Sequence, residues 1–163
     1  MLGIDYSAAS IKLARQIERR RAQESAEEEV VESSTPISFE EHDILSRNPP
    51  SQMMGSRFDV VLDKGTFDAI SLSSERDVAG RRICETYGSS VEPLVRDGGL
   101  FIITSCNWTE NELRAWFEGR DASEAGAFQL KDRIKYPKFR FGGHTGQSVV
   151  TLCFKKERKH FGT

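Results

Sequence analysis

The run Phe58-Asp59-Val60-Val61-Leu62 is apolar and rich in β-branched residues, and it stops abruptly on Asp63-Lys64-Gly65 before a second apolar segment, Phe67 to Leu72. Such a run reads as a buried strand of a parallel sheet, followed by a helix. In open α/β sheets, ligands bind just beyond the carboxyl ends of the strands. Gly65 lets backbone approach closely at that point. Asp63 is therefore a site candidate, and a solvated strand-to-helix turn fits the same residues equally well.

The remaining chain follows the same alternation. Leu2-Gly3-Ile4-Asp5 looks like the end of a strand, and Ser7 is placed to cap a helix in which Ile11, Ala14 and Ile17 share a face through about Arg21. Arg19-Arg20-Arg21 would then lie in the last turn, where it suits the helix dipole better than a nucleic acid, since no aromatic residues interleave with it. Residues 23–35, with Glu27-Glu28-Glu29, read as an acidic surface insertion or a frayed helix end. Ile37 to Glu40 alternates like a strand. Val78 to Leu94 reads as helical, with Gly88 a weak point, and Asp97-Gly98-Gly99 as a turn into a buried strand, Leu100 to Thr104. Thr109 and Glu112 form a capping-box pair for a helix to about Glu118. Phe128 to Lys135 and Ser148 to Lys155 read as strands without an intervening helix. This pattern argues an α/β sheet with an antiparallel edge strand.

Composition narrows the function classes. At 163 residues, 37% hydrophobic and 29% charged, the chain fits one domain with a modest core. A net charge of −2 offers no general attraction to nucleic acid or an anionic membrane. No apolar run approaches the ~20 residues a membrane span needs, and the first residues show no signal-peptide pattern. Cys84, Cys106 and Cys153 fit neither zinc-ligand spacing nor a disulfide framework, which suggests a reducing, cytoplasmic setting. His42, His144 and His160 show no pairing that would make a metal site.

Asp5, Asp43 and Asp63, with Asn107, fall at strand ends on one edge of the expected sheet. A carboxylate at such a position can accept from both hydroxyls of a ribose, and Asp43 could accept from an adenine amine. Each is also an ordinary cap or turn residue. Two shorter motifs point elsewhere and carry little weight. Asn48-Pro49-Pro50-Ser51 is close to the Asn-Pro-Pro-aromatic signature of some amino-methyltransferases, but it precedes the central strand and lacks the aromatic residue. Gly143-His144-Thr145-Gly146-Gln147-Ser148 is loosely like a phosphate loop, but it lacks the lysine and opens no helix.

Four blocks together resemble the seven-β-strand S-adenosylmethionine-dependent methyltransferases: Leu2 to Ser7, Asp63 to Ile70, Ile103 to Thr109 and Phe139 to Gly143. Within that class the chain is similar to the elongation factor 1-alpha lysine methyltransferases, from Leu2 to about Phe154. The resemblance implies S-adenosylmethionine as cofactor, translation elongation factor 1-alpha as protein substrate, and neither nucleic acid nor membrane as partner. It also implies residue roles. Asp5 with Tyr6 would hold the ribose, Asp43 the adenine, and Asp63 would lie beside the methionine end of the cofactor at the mouth of a lysine channel. Asp63, Asn107 and Trp108 would be the catalytic residues. Thr66, Phe67, Trp108 and Phe141 would receive the target segment, and no metal is implied.

The resemblance predicts an α/β, Rossmann-like methyltransferase domain over residues 1–156 with a tail over 157–163. It also marks a departure, because the family's first βα unit, ~30 residues or fewer with its glycine-rich loop, would precede Leu2. That strand would lie between those ending at Asp5 and Asp63, and its burial is comparable to a domain's whole net stability. The expectation is therefore an N-terminally truncated chain that binds cofactor poorly. An inactive binding module and a small-molecule methyltransferase are the alternatives.

Overall fold

Leu2–Asp5 forms strand β1, and Ala8–Glu27 forms helix α1, which leads to strand β2, Ser38–Glu41. The computed structural model describes residues 1–27, 37–46, 53, 55, 57–118, 128–137, 139–141, 144–146 and 148–157. Two units can be distinguished, Met1–Met54 and Gly55–Thr163.

In the first unit, β1 and β2 are parallel, with Leu2 opposite Ser38 and Asp5 opposite Glu41. Ser7 caps α1 as expected. Its hydroxyl accepts from Ser10 N at 3.3 Å and its carbonyl from Ile11 N at 3.1 Å. The helix is tied to β2 by the Arg15 guanidinium, whose Nε and Nη2 donate to Phe39 O at 3.1 and 2.5 Å. Phe39 lies so close to Gly3 that a Cβ there would stand 2.7 Å from its ring. The helix continues past Arg21 to Glu27, so the three arginines lie well inside it and not in its last turn. Glutamine, glutamate and alanine are good helix formers, and neither glycine nor proline interrupts the stretch. Ile11 is buried, but Ile17 is 58% exposed, so only part of the expected apolar face is covered. Most of the acidic insertion, the Asn48-Pro49-Pro50-Ser51 motif and most of the tail lie outside the described residues.

The second unit holds strand β3, Phe58–Lys64, then helix α2, Thr66–Leu72. Helix α3, Tyr87–Val91, lies between two 3-10 turns, Ile83–Thr86 and Glu92–Leu94. Next come strand β4, Val95–Ser105, helix α4, Glu110–Phe117, and strand β5, Phe128–Ile134. Strands β6, Phe139–Phe141, and β7, His144–Gly146, form a separate antiparallel pair, and β8 spans Val150–Lys156. The main sheet has the order β3-β4-β8-β5. β3 and β4 are parallel, and β8 runs antiparallel to both β4 and β5. The antiparallel strand is therefore inserted beside the outermost strand, not placed at the border itself.

Three local expectations are corrected. Val78 to Leu94 is not one helix. The Asp77 carboxylate gathers Ala79 N, Arg81 N and the Arg81 guanidinium, each at 2.9 Å, and closes a turn there. Asp97-Gly98-Gly99 lies within β4 as an irregularity, with Phe58 paired to Val95 and Val60 to Leu100. The central strand β3 is not buried on both faces. Val61 and Asp63 turn inward, while Val60 and Leu62 are 45% and 73% exposed. The covered face carries the core: Phe101, Ile103, Leu113, Phe117, Phe128, Leu152 and Phe154 are all buried. Phe101 and Phe117 meet edge-on at 5.1 Å.

Candidate active site

The residues singled out in the sequence fall into two clusters, one in each unit. In the first, Asp5 ends β1 and Asp43 follows β2 by two residues. His42 N continues the ladder by donating to Asp5 O at 2.9 Å, so both acids stand at the carboxyl edge of this parallel pair. Asp5 is half-buried and accepts one bond, from Ser7 N to Oδ1 at 2.7 Å. Asp43 is exposed, and its Oδ1 accepts from Leu45 N at 2.9 Å. Each carboxylate keeps its second oxygen without a hydrogen-bond partner among the described residues. Tyr6, between β1 and α1, is 75% exposed.

The second cluster is built differently. Asp63 is 5% exposed. Its Oδ1 accepts from Thr66 N at 2.9 Å, and its Oδ2 accepts from Phe67 N at 3.1 Å and from the Tyr87 hydroxyl at 2.7 Å. The carboxylate thus caps the first turn of α2 from two residues before the usual capping position, which Gly65 occupies in the left-handed region at φ 86°. A non-glycine residue would be strained there. Burial and the neighbouring Asp63 carboxylate push the Tyr87 phenol well above its ordinary value, so it stays a donor across the working pH range.

Thr66 is exposed at the start of α2, and Asn107 is exposed just past β4. Phe67 has no accessible surface to offer a substrate. At 1% exposure its ring is enclosed by Tyr87, Trp108, Trp116 and Phe117, at centroid distances of 5.3, 5.9, 5.5 and 5.1 Å. It is a core residue that backs the half-buried Trp108, whose indole Nε1 donates to Ser71 Oγ at 3.1 Å. Phe141 contributes its backbone to the β6–β7 pair opposite His144. Among the described residues no group of three or more histidines, cysteines or acids could hold a metal ion.

Sequence reasoning missed four contributors to this cluster. Tyr87, 24 residues from Asp63, lay in a segment read as helical with Gly88 a weak point, and it gave no signal of its own. Asp68 and Ser105 sit inside the quoted motifs and Ser71 just beyond one, and their spacing did not reveal that a helix and a strand end would meet through them.

Parallel strands with helical crossovers and polar groups gathered at their carboxyl ends define a Rossmann-like enzyme fold. A profile of the family described as "Methyltransferase domain" matches residues 1–143, and the chain belongs to that family. Among curated proteins, the chain is 39% identical over 157 residues to EEF1A lysine methyltransferase 2 of Danio rerio, covering 96% of this chain and 56% of that protein. It is 36% identical over 157 residues to the protein-lysine N-methyltransferase EFM4 of Saccharomyces cerevisiae, covering 96% and 60% respectively. The chain therefore spans somewhat over half the length of these relatives. Among solved structures, the N-methyltransferase NodS of Bradyrhizobium japonicum WM9, in complex with S-adenosyl-L-homocysteine, superposes with a TM-score of 0.53 at 16% identity, over 95% of this chain and 65% of that one. At that identity the likeness concerns the fold alone. Among the described residues no helix is long and apolar enough to cross a membrane.

Proposed function

We propose that the chain acts as an S-adenosylmethionine-dependent protein-lysine N-methyltransferase on translation elongation factor 1-alpha, in the cytoplasm. The observation that carries this reading is the identity, over nearly the whole chain, of 39% with a protein named EEF1A lysine methyltransferase 2 and of 36% with one named protein-lysine N-methyltransferase.

The residues present suit the cofactor's adenosine part. Asp5 has a spare carboxylate oxygen beside an exposed tyrosine, an arrangement that suits a ribose diol. Asp43 has a spare oxygen on the same edge, suited to an adenine amine. S-adenosylmethionine, when bound, supplies an electrophilic methyl group on a sulfonium. The protein's own contribution to such a transfer is largely positioning.

The acceptor lysine must be neutral, against an ordinary pKa near 10.4. Desolvation beside aromatic rings favours the neutral amine. Trp108 suits that role, and its face would also attract a sulfonium or a methylated ammonium. Thr66 and Asn107, both exposed, would extend the surface offered to the target segment, and the family resemblance would add Phe141 to it. The Asp63 carboxylate, already committed to three donors, serves this surface by fixing the start of α2.

The test is transfer of radiolabelled methyl groups from S-adenosylmethionine to purified elongation factor 1-alpha, with mass spectrometry to find methyl-lysine. Label in the elongation factor is expected. Label confined to small molecules, or no transfer at all, would rule the reading out.

A further inference from the structure

The turn that leaves β4 is held by an arrangement more elaborate than a strand-to-helix connection requires. Cys106, Asn107 and Trp108 present three consecutive backbone N–H groups, and α2 and the end of β4 take up all three. Cys106 N donates to Asp68 Oδ2 at 2.8 Å. Asn107 N and Trp108 N both donate to Ser105 Oγ, at 3.1 and 3.0 Å. The Ser105 hydroxyl in turn donates to Asp68 Oδ1 at 2.5 Å. One turn further along α2, Ser71 donates its hydroxyl to Asp68 O at 2.8 Å and accepts the indole N–H of Trp108. Arg82 Nη2 donates to Ser71 O at 2.6 Å and steadies the same turn of helix.

Asp68 is 9% exposed and Ser105 1% exposed. Both Asp68 carboxylate oxygens accept hydrogen bonds, yet among the described residues no cation pairs with this side chain. Burying an unpaired charge is a poor source of stability, and well-packed apolar side chains would serve that end better. What the carboxylate and hydroxyl do provide is a fixed backbone for residues 106–108. That segment lies at the carboxyl end of a parallel strand and leaves the Asn107 side chain exposed.

We propose that Asp68 and Ser105 are positioning residues for the methyl acceptor: together they latch residues 106–108 so that Asn107 and Trp108 meet the lysine-bearing segment in a preset arrangement. The proposal rests on the reading above, in which Asn107 and Trp108 face the protein substrate. The latch governs how well that substrate is held and leaves cofactor binding alone.

Steady-state kinetics of the full chain with elongation factor 1-alpha and S-adenosylmethionine test it. In D68N an amide replaces the carboxylate and cannot accept from Ser105 and Cys106 together. Both D68N and S105A are expected to raise KM for the elongation factor about ten-fold or more while KM for S-adenosylmethionine stays within about two-fold. S105T, which keeps the hydroxyl, recovers most of the loss. S71A removes the anchor of the Trp108 indole together with the Ser71 hydroxyl's own bond to Asp68 O, and leaves the Asp68–Ser105 and Asp68–Cys106 bonds in place. It remains informative if D68N fails to fold, with an expected rise of about three-fold in the same KM while KM for S-adenosylmethionine again stays within about two-fold. Unchanged KM for the elongation factor in folded D68N and S71A would overturn the latch, as would a parallel rise in both KM values. N107A separates the two possible failures. If N107A is impaired while D68N is not, the latch alone is wrong. If both behave like the wild type, the reading of this turn as a substrate surface fails as well.

Discussion

Asp5 and Asp63 occupy equivalent places, each at the carboxyl end of a parallel strand and just before a helix, yet their surroundings are opposite. Asp5 is half-buried, accepts one backbone N–H and keeps an oxygen spare. Asp63 is 5% exposed and accepts from two backbone amides and a buried phenol. Position at a strand end does not by itself make a ligand. A carboxylate with both oxygens engaged by its own chain serves first as scaffold, and one with an oxygen left over has the capacity to accept from a diol. The same contrast separates Asp43, exposed with one donor, from Asp68, buried with two.

Substitutions can break or sharpen this contrast. The largest stability loss is expected for D63A, which strips the acceptor from three donors beneath the surface. About 3 kcal/mol or more should be lost, read from the shift in urea midpoint. A loss under about 1 kcal/mol would mean that Asp63 is not the scaffold element described here.

Y87F removes one charge-assisted hydrogen bond to Asp63 and should cost about 1.5–3 kcal/mol at neutral pH. The cost depends on pH in a definite direction. The folded-state pKa of Tyr87 lies above its unfolded value, so its contribution is complete below about pH 10 and is lost as pH rises beyond that value. The gap between wild type and Y87F should therefore narrow in urea titrations above about pH 10. A gap that widens there would contradict the buried Tyr87–Asp63 pair.

G65A tests the geometry that brings Asp63 to the helix. Nothing lies within 4 Å of the added Cβ, so only the left-handed backbone is strained. A loss of about 1–2 kcal/mol is expected from thermal melts. At the small end, D5A should change stability by no more than about 0.5 kcal/mol, because its one donor can turn to water. A multi-kcal loss in D5A would erase the contrast.

Much of this was legible from local chemistry. The Thr109–Glu112 capping box forms as read, with Thr109 N donating to Glu112 Oε2 at 2.8 Å. Strands β1, β3, β5 and β8 lie within a residue or two of the stretches marked by their apolar patterns. What was not legible depends on residues far apart in the chain. β8 enters between β4 and β5, which no pattern within β8 encodes. Tyr87 reaches Asp63 across 24 residues, and Ser105 reaches Asp68 across 37. The one-sided burial of β3 had the same cause: an apolar run shows that a strand can be covered on both faces, not that it is.

The most direct test of the contrast is a calorimetric titration of S-adenosylhomocysteine into the wild type, D5A and Y87F, with a thermal melt of each. Against measurable binding by the wild type, D5A should bind at least about ten-fold more weakly at an unchanged melting temperature. Y87F should melt lower and, while folded, bind within about two-fold of the wild type. Wild-type affinity in D5A, or a binding defect in folded Y87F as large as that of D5A, would contradict the division between a ligand-holding carboxylate and a scaffold carboxylate.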